Sequence, residues 1–374
     1  MNVIGEAGNM LEKGASYSLA VLPGDGIGPE VVDAALMVLN AVEKREGFST
    51  VISKGLIGGA AYDVYGEHLP RATIDICRGS SAILFGAVGG PVIEAATPKW
   101  ANCERNSILS LRKEFGFYAN IRSLRVPSGL EHLSPLRQGL IPGGHSIVVI
   151  RELLGDIYFG EHKTTGVSPA RIASDTAEYR EGEIRRIARL GFELARARRR
   201  SVVSVDKANV LDTSRLWRDV VTSVQREFPD VTVEHQLVDN CAMQLVRNPA
   251  QFDLLLCPNL FGDILSDIVS VLGGSLGLMP SASLNEEGFG LYEPAGGSAP
   301  DIAGKGIANP IGQILSLAML LRYSWRMDGA ANAIEMAVES ALASGARTCD
   351  LCRSGEPSVS TEEFAEAVVQ ALMV

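Results

Sequence analysis

Five short apolar runs, each followed by polar or glycine-rich residues, constrain the fold more than any other feature of the chain. They occupy residues 18–22, 81–85, 146–150, 202–205 and 252–258. Strands buried on both faces are typically continuous apolar runs, as in sheets covered by helices. In such open sheets, ligands bind where the carboxyl ends of the strands lead into loops. The pattern therefore predicts an α/β protein whose functional residues follow its strands.

The bulk composition sets the class of protein. The 374 residues, 46% of them hydrophobic, are enough for about two domains of ~100–200 residues each. A formal net charge of −10 argues against a nucleic-acid partner. No apolar run reaches the ~20 residues that a membrane span needs, so no membrane partner is expected. Six cysteines in a chain of this length fit a reducing compartment, which predicts a cytoplasmic protein.

Two aspartates indicate a metal site. Asp263 and Asp267 stand four residues apart in a segment with apolar Ile264, Leu265 and Ile268. If this segment is helical, both carboxylates project from one face. Oxygen ligands of this kind suit Mg²⁺ or Mn²⁺. Asp239 follows another apolar stretch and is either an ordinary turn residue or a third carboxylate for the same cation.

Basic and aromatic residues near the ends of the apolar runs suggest the accompanying chemistry. Lys207 follows a valine-rich run and is a candidate general base. Arg112, Arg122 and Arg151 stand out because arginine binds carboxylates through two hydrogen bonds. One arginine alone is more often a surface ion pair, but Arg151 directly follows an apolar run, which favours a site-facing side chain. Tyr158 is, on local pattern alone, a half-buried aromatic.

Two glycine-rich segments differ in what they predict. The glycines at 24, 26 and 28 do not fit the G-x-G-x-x-G fingerprint, because Pro29 stands where the third glycine belongs. They predict a tight turn into a helix rather than a Rossmann site. Residues 293–310 form a longer polar loop in which backbone amides can approach a ligand closely. Asp301 there would accept ribose hydroxyls and repel a 2′-phosphate, which favours NAD over NADP; an ordinary glycine-rich loop is the alternative.

Taken together, these motifs give the chain a resemblance to the isocitrate and isopropylmalate dehydrogenases, the β-decarboxylating dehydrogenase family. The likeness runs from Ser18 to nearly the end of the chain. The motifs that carry it occupy residues 22–30, 157–160, 205–211, 261–267 and 297–305.

The resemblance implies a two-domain α/β fold with a large central mixed sheet, not a Rossmann fold. One domain would combine residues 1–117 with 275–374 and bind the cofactor. Residues 118–274 would form the domain for dimerisation, substrate and metal. The resemblance further implies a homodimer with shared active sites, in which Lys207 and Asp239 reach into the partner's site.

The resemblance also implies the role of each residue. Tyr158 and Lys207 would be catalytic, and Asp239, Asp263 and Asp267 would hold Mg²⁺ or Mn²⁺. The substrate, a small dicarboxylate, would contact Ile108, Arg112, Arg122, Arg151, Val210 and Asp239. NAD would contact Ile27, Glu293, Gly297, Ser298, Ala299, Asp301 and Asn309. Ile108, four residues before Arg112, would face an alkyl group on the substrate.

The implied reaction is the NAD-dependent oxidative decarboxylation of a 3-substituted malate, foremost 3-isopropylmalate to 4-methyl-2-oxopentanoate in leucine biosynthesis. Several residues depart from the family pattern. Gly296 replaces a histidine, Leu154-Gly155-Asp156 replaces Thr-Gly-Gly, and residues 102–107 lack the family's Arg-Pro-Glu-x-Gly. These departures favour one alternative, a relative acting on another 3-substituted malate or tartrate. A second alternative of a different class is a catalytically silent regulatory subunit, against which the retained Lys207, Tyr158, Asp239, Asp263 and Asp267 argue.

Overall fold

The apolar runs form the centre of one ten-stranded sheet in the computed structural model, which describes residues 14–353 and 355–373. The ends of the predicted cofactor-binding domain, residues 1–13 and residue 374, lie outside the described residues. Twelve strands are found there. They are β1 Ser16–Gly24, β2 Ser49–Lys54, β3 Ala82–Ala87, β4 Ala119–Arg125, β5 Ser146–Glu152, β6 His162–Thr165, β7 Ile172–Asp175, β8 Ser201–Asp206, β9 Thr232–Leu237, β10 Leu254–Cys257, β11 Pro280–Leu284 and β12 Gly290–Pro294.

Helices cover both faces of the sheet, and eleven α-helices are described. They are α1 Gly28–Glu46, α2 Gly59–Tyr65, α3 Arg71–Arg78, α4 Ser110–Glu114, α5 Glu181–Arg196, α6 Asp212–Gln225, α7 Val238–Arg247, α8 Asn259–Leu272, α9 Ile311–Tyr323, α10 Asp328–Ala343 and α11 Thr361–Met373. A short π-helix, Arg105–Leu109, leads into α4. None of the helices in the described ranges is long and apolar enough to cross a membrane.

The sheet is mixed, as predicted. Its strand order is β2-β1-β3-β12-β11-β4-β5-β10-β8-β9. The pairs β12–β11, β11–β4 and β4–β5 are antiparallel, and the flanking strands are parallel. Each of the five apolar runs overlaps one strand: β1, β3, β5, β8 and β10. The antiparallel centre distinguishes this sheet from the all-parallel Rossmann arrangement.

Strand β4 places side chains on both faces of the sheet. Its residues alternate in direction, as in any strand. Arg122 bonds side chains on α8, whereas Ile121 belongs to the apolar cluster on the other face, beside Val148 of β5. Arg151 of β5 also meets α8. Arg122 and Arg151 therefore lie on the α8 face of the central strands, and Ile121 lies on the opposite face.

Candidate active site

Three buried arginines converge beside helix α8. Arg112, Arg122 and Arg151 are 8%, 8% and 2% exposed, so none is an ordinary surface ion pair. They lie close enough that the charges of Arg122 and Arg112 act on Arg151, whose pKa burial lowers to about 10. Three clustered guanidiniums form a strong site for a dianion, because each can hold a carboxylate through two hydrogen bonds.

Strand β10 ends directly before α8, and this connection places Asp263 and Asp267 opposite the arginines. Asp263 Oδ1 accepts a short bond from Arg151 and lies 3.6 Å from Arg122 Nη2. Asp267 Oδ1 lies 3.4 Å from Arg122 Nη1. Burial alone raises the pKa of Asp263, but Arg151, Tyr158 and Arg122 outweigh it and leave this pKa lowered. Asp263 is thus an anion available to a cation.

Tyr158 joins this cluster from the loop that follows β5. Its hydroxyl donates to Asp263 Oδ2 at 2.6 Å, and the Arg151 guanidinium lies 5.2 Å from the centre of its ring. Burial, followed by the bond to Asp263, raises the pKa of Tyr158 to about 12. Tyr158 therefore keeps its proton at physiological pH and can deliver it as a general acid. The local pattern indicated only a half-buried aromatic.

Lys207 and Asp239 form a separate pair. Lys207 directly follows β8, Asp239 lies in the first turn of α7, and Nζ and Oδ1 are 2.5 Å apart. Among the described residues of one chain, no three acidic, histidine or cysteine side chains are placed to share a metal. The structure therefore brings together Arg112, Arg122, Arg151, Tyr158, Asp263 and Asp267. It leaves Lys207 and Asp239 as a pair of their own.

The predicted cofactor residues surround the glycine turn after β1. Ile27 N donates to Ser298 O at 2.8 Å, and a Cβ on Gly26 would come within 1.9 Å of the same oxygen. This contact explains the glycine there, at φ +60, as a close approach between loops rather than a dinucleotide fingerprint. Ala299 follows Ser298 with φ +40. The turn and the 293–310 loop thus form one surface.

The other predicted cofactor and substrate residues lie in several different parts of the structure. Glu293 lies at the end of β12 rather than in a loop, so the predicted loop begins after Pro294. Glu293 binds Arg112 at 2.9 Å, which links this strand end to the arginine cluster. Asn309 donates to Asp350 at 2.9 Å. Gly297, Asp301 and Val210 are exposed, whereas Ile108 is packed in an apolar cluster with Leu111 and Phe117. Because Ile108 is buried, little of its side-chain surface is accessible to a ligand in this conformation.

Sequence reasoning did not identify Asn259, which organises the start of α8. Its side chain accepts from Arg151 Nε at 2.8 Å and donates to Gly155 O at 3.0 Å. Its backbone amide donates to the Tyr179 hydroxyl at 2.8 Å. Asn259 therefore fixes the direction of the Arg151 guanidinium. The signal that could have found it is its position two residues after an apolar strand; Lys207 similarly comes directly after one.

Asp156, one of the departures from the family pattern, also holds α8. It has a left-handed backbone, φ +70, which costs a non-glycine residue energy. Its Oδ2 accepts from Leu260 N at 3.1 Å in the first turn of α8, and Oδ1 accepts from Ile157 N at 2.9 Å. The carboxylate satisfies a free helix amide and complements the helix dipole. Asp156 thus caps the helix that carries Asp263.

We expect Asp156→Ala to lower the free energy of unfolding by about 1–3 kcal/mol, because the cap is lost and the left-handed strain is kept. Asp156→Gly loses the same cap but relieves the strain, so its loss should be smaller. Urea unfolding of both variants measures the difference. Equal stability of wild type and Asp156→Ala would show that the carboxylate does not stabilise the start of α8.

Comparison with known proteins identifies the family. Residues 18–368 match the isocitrate/isopropylmalate dehydrogenase family, so the chain belongs to that family. It is 53% identical to 3-isopropylmalate dehydrogenase of Shigella flexneri over 356 residues, 95% of this chain and 98% of the relative. The corresponding enzyme of Salmonella paratyphi A is 52% identical over the same length, with the same shares covered.

Solved structures agree with the fold. An isocitrate dehydrogenase from Methylococcus capsulatus superposes with a TM-score of 0.84 at 34% identity, covering 96% of this chain and all of that one. A β-decarboxylating dehydrogenase from Thermococcus kodakarensis, in its apo form, gives a TM-score of 0.76 at 37% identity, with 96% of each chain covered. The family and the fold class predicted from the motifs are both confirmed.

Proposed function

We propose that the protein is an NAD-dependent 3-isopropylmalate dehydrogenase of leucine biosynthesis, which oxidatively decarboxylates its substrate to 4-methyl-2-oxopentanoate. The observation that carries the proposal is the convergence of three buried arginines on the Asp263–Tyr158 pair. This arrangement offers positive charge for a dicarboxylate, carboxylates for a cation and a protonated acid. Curated relatives at 52–53% identity over nearly the whole chain support the choice of substrate.

The chain fits the two groups that this reaction needs. Asp263 and Asp267 supply hard oxygen donors for Mg²⁺ or Mn²⁺, and Asp239 of a second chain would complete the set. NAD would lie along the turn at Ile27 and the 293–310 loop, where a Cβ on Gly297 would meet no atom within 4 Å. When bound, NAD would supply the hydride acceptor, and the divalent cation would supply positive charge beside the reacting oxygen.

The residues of this chain then have distinct tasks. Arg112, Arg122 and Arg151 hold the two carboxylates of the substrate and fix its orientation. Lys207, released from Asp239 and neutral after its ammonium has given a proton to water, takes the proton of the 2-hydroxyl group. Tyr158 gives its proton to the carbon that loses carbon dioxide. Base and acid are thus different groups: the lysine gains a proton from oxygen, and the tyrosine loses one to carbon.

The test of the proposed function is NAD reduction by the purified protein with Mg²⁺ and a panel of substrates. We expect 3-isopropylmalate to give the highest kcat/KM, with isocitrate, homoisocitrate and tartrate at least tenfold lower. A higher value for another 3-substituted malate or for tartrate would assign the protein to that substrate. No reduction of NAD with any of them would indicate a silent subunit.

Asp301 provides a test of the cofactor. We expect Asp301→Lys to lower the NAD-to-NADP ratio of kcat/KM by at least about tenfold, because the ribose contact is lost and a 2′-phosphate is no longer repelled. Initial rates with each cofactor measure the ratio. Glu287→Lys makes the same charge change on an exposed residue outside the loop and should leave the ratio unchanged. An unchanged ratio in Asp301→Lys would remove Asp301 from the cofactor site.

We also propose a homodimer with shared active sites. Helices α7 and α8 expose apolar side chains that a partner would cover: Met243, Val246, Ile264 and Val271 are 46–58% exposed. The Lys207–Asp239 pair stands at the start of α7, separate from the arginine cluster of its own chain. Within the dimer, residues 1–117 and 275–374 would form the cofactor-binding domain, and residues 118–274 the dimerisation domain.

Mixing two inactive variants tests the sharing. In a hybrid of a Lys207→Met chain with an Asp263→Asn chain, one shared site keeps both native residues and the other loses both. We therefore expect the hybrid dimer to regain about half of the wild-type activity. If each site is built from one chain, both sites of the hybrid carry one lesion, and no activity should return. Separately tagged chains, refolded together and purified through both tags, give the hybrid.

A further inference from the structure

A large cavity lies on the face of the sheet opposite to the arginine cluster. Its volume is about 920 Å³, within the roughly 300–1,000 Å³ typical of small-molecule sites. Strand β4 contributes to both faces: Ile121 and Ser123 line the cavity, whereas Asn120 and Arg122 bond to each other on the site face. None of the proposed catalytic or metal-binding residues lines this cavity. It is therefore a concave region separate from the proposed active site.

The walls of the cavity come from elements on both sides of the central strands. Helix α5 contributes one wall, and α9 and α10 contribute the other. Its apolar surface is extensive, formed chiefly by Ile121, Val148, Leu194, Leu278, Leu315 and Met319. Leu315 is only partly buried and lines the cavity. An apolar molecule placed here would remove this surface from water.

One end of the cavity carries net positive charge. Arg198, two residues after α5, binds Asp253 with Nε and Nη2 at 3.0 and 2.8 Å, and its Nη2 also donates to Ser146 O and Oγ at 3.2 and 3.3 Å. Asp253 is 4% exposed and also pairs with Arg199 at 3.4 Å. One carboxylate therefore serves two guanidiniums. Arg198 also faces Tyr323 of the opposite wall: burial raises the pKa of Tyr323, and the positive charges of Arg322 and Arg198 oppose that rise.

The other cations around the cavity are matched more evenly. Arg322 binds Glu335 at 2.6 Å, and Arg125 binds Glu339 at 2.9 Å. On the α10 side the lining holds three guanidiniums, Arg125, Arg322 and Arg326, and three carboxylates, Asp328, Glu335 and Glu339, so the charges balance there. The combination of an apolar body and a single positive end is complementary to a molecule with an aliphatic or aromatic body and one negative group.

We propose that this cavity is a second ligand site, which binds a small amphipathic monoanion with its acidic group at Arg198 and its apolar body over Leu278, Leu315 and Met319. The proposal does not depend on the reaction assigned above. Because the sheet separates the cavity from the arginine cluster, its occupant does not displace NAD or the dicarboxylate.

The experiment is a displacement assay with 8-anilinonaphthalene-1-sulfonate, an apolar fluorophore with one negative charge. The full-length protein is titrated with saturating NAD present, so that the cofactor surface is blocked. Octanoate and octylamine then compete; they share an aliphatic chain and differ in the sign of their charge. We expect one saturable site, displacement by octanoate and at least tenfold weaker displacement by octylamine.

Variants locate the site. Arg198→Gln removes the positive end and should raise the Kd of octanoate at least tenfold. Leu315→Trp fills the apolar part of the cavity and should abolish binding. If Leu315→Trp does not fold, Ser123→Phe fills the same part of the cavity from β4. Arg189→Gln is the matched control, since Arg189 lies on α5, pairs with Glu227 and does not line the cavity. Thermal unfolding and turnover of 3-isopropylmalate verify each variant.

Three outcomes would overturn the proposal. One is the absence of a saturable site in the wild-type protein with NAD bound. Another is equal displacement by octanoate and octylamine, which would leave no role for Arg198. The last is unchanged octanoate binding in both Arg198→Gln and a folded cavity-filling variant, which would place the fluorophore elsewhere. Binding is read directly, so failure here is distinct from failure of the proposed reaction.

Discussion

Lys207→Met should lower kcat by at least about 10²-fold and leave NAD binding unchanged. Removing a positioned general base typically costs 10²–10⁴-fold in rate, and methionine keeps the length of the side chain without a nitrogen to accept a proton. The lysine lies at the end of β8 with its ammonium on Asp239. Steady-state rates with saturating 3-isopropylmalate, NAD and Mg²⁺ measure kcat.

Loss of stability does not account for this expected result. The Lys207 side chain is 28% exposed and that of Asp239 is 63% exposed. Exposed pairs contribute about 0–1 kcal/mol to stability, so the variant should unfold at nearly the wild-type temperature. Lys44→Met, on the exposed end of α1, makes the same substitution away from the site and should keep full activity. A kcat near wild type for Lys207→Met would contradict the assignment of the base.

Strands could be predicted from the sequence where burial on both faces requires a run of apolar residues. Strands β1, β3, β5, β8 and β10 are apolar because helices cover both of their faces, and each was identified. Strand β11 was not, because serines replace the usual aliphatic residues there. Asn120 of β4 explains them: its amide donates to Ser281 and Ser283 at 2.7 and 3.2 Å. A buried polar ladder of this kind satisfies its own hydrogen bonds and leaves no apolar pattern to detect.

Within the candidate site, the sequence predicts only those side chains whose spacing along one helix or strand determines the face on which they lie. Asp263 and Asp267 lie on one helix, and their four-residue separation was sufficient to place them together. The bonds from Asn259 to Arg151 and from Asp156 to α8 join segments about a hundred residues apart, and no local pattern specifies such contacts. Ile108 shows the same limit, because its apolar side chain suits both a substrate pocket and the core where it lies.

Asp263→Asn should weaken the binding of Mn²⁺ at least tenfold and lower kcat by at least about 10²-fold. The carboxylate has three neighbours in the structure: Arg151, Arg122 and the Tyr158 hydroxyl. An amide keeps the size of the side chain but removes the charge that a divalent cation requires. Titration of the protein with Mn²⁺, followed by electron paramagnetic resonance of the free ion, measures affinity independently of turnover.

Tyr158 supplies a second readout for the same variant. Burial, the hydrogen bond to Asp263 and the negative charge of Asp263 all raise the pKa of Tyr158, whereas Arg151 lowers it. Without the Asp263 charge, the positive charge of Arg151 is no longer balanced, and the pKa of Tyr158 should fall. The difference in tyrosinate absorbance between Asp263→Asn and the Asp263→Asn/Tyr158→Phe double variant, followed from pH 8 to 12, isolates this one ring.

The control for both measurements is Asp212→Asn, because the Asp212 side chain is 96% exposed and lies at the start of α6. It should bind Mn²⁺ and turn over substrate as the wild type does. Unchanged Mn²⁺ affinity in Asp263→Asn would remove Asp263 from the metal site. A fall in affinity with no change in the titration of Tyr158 would show that the hydroxyl does not depend on Asp263, and the acid role of Tyr158 would then need a different partner.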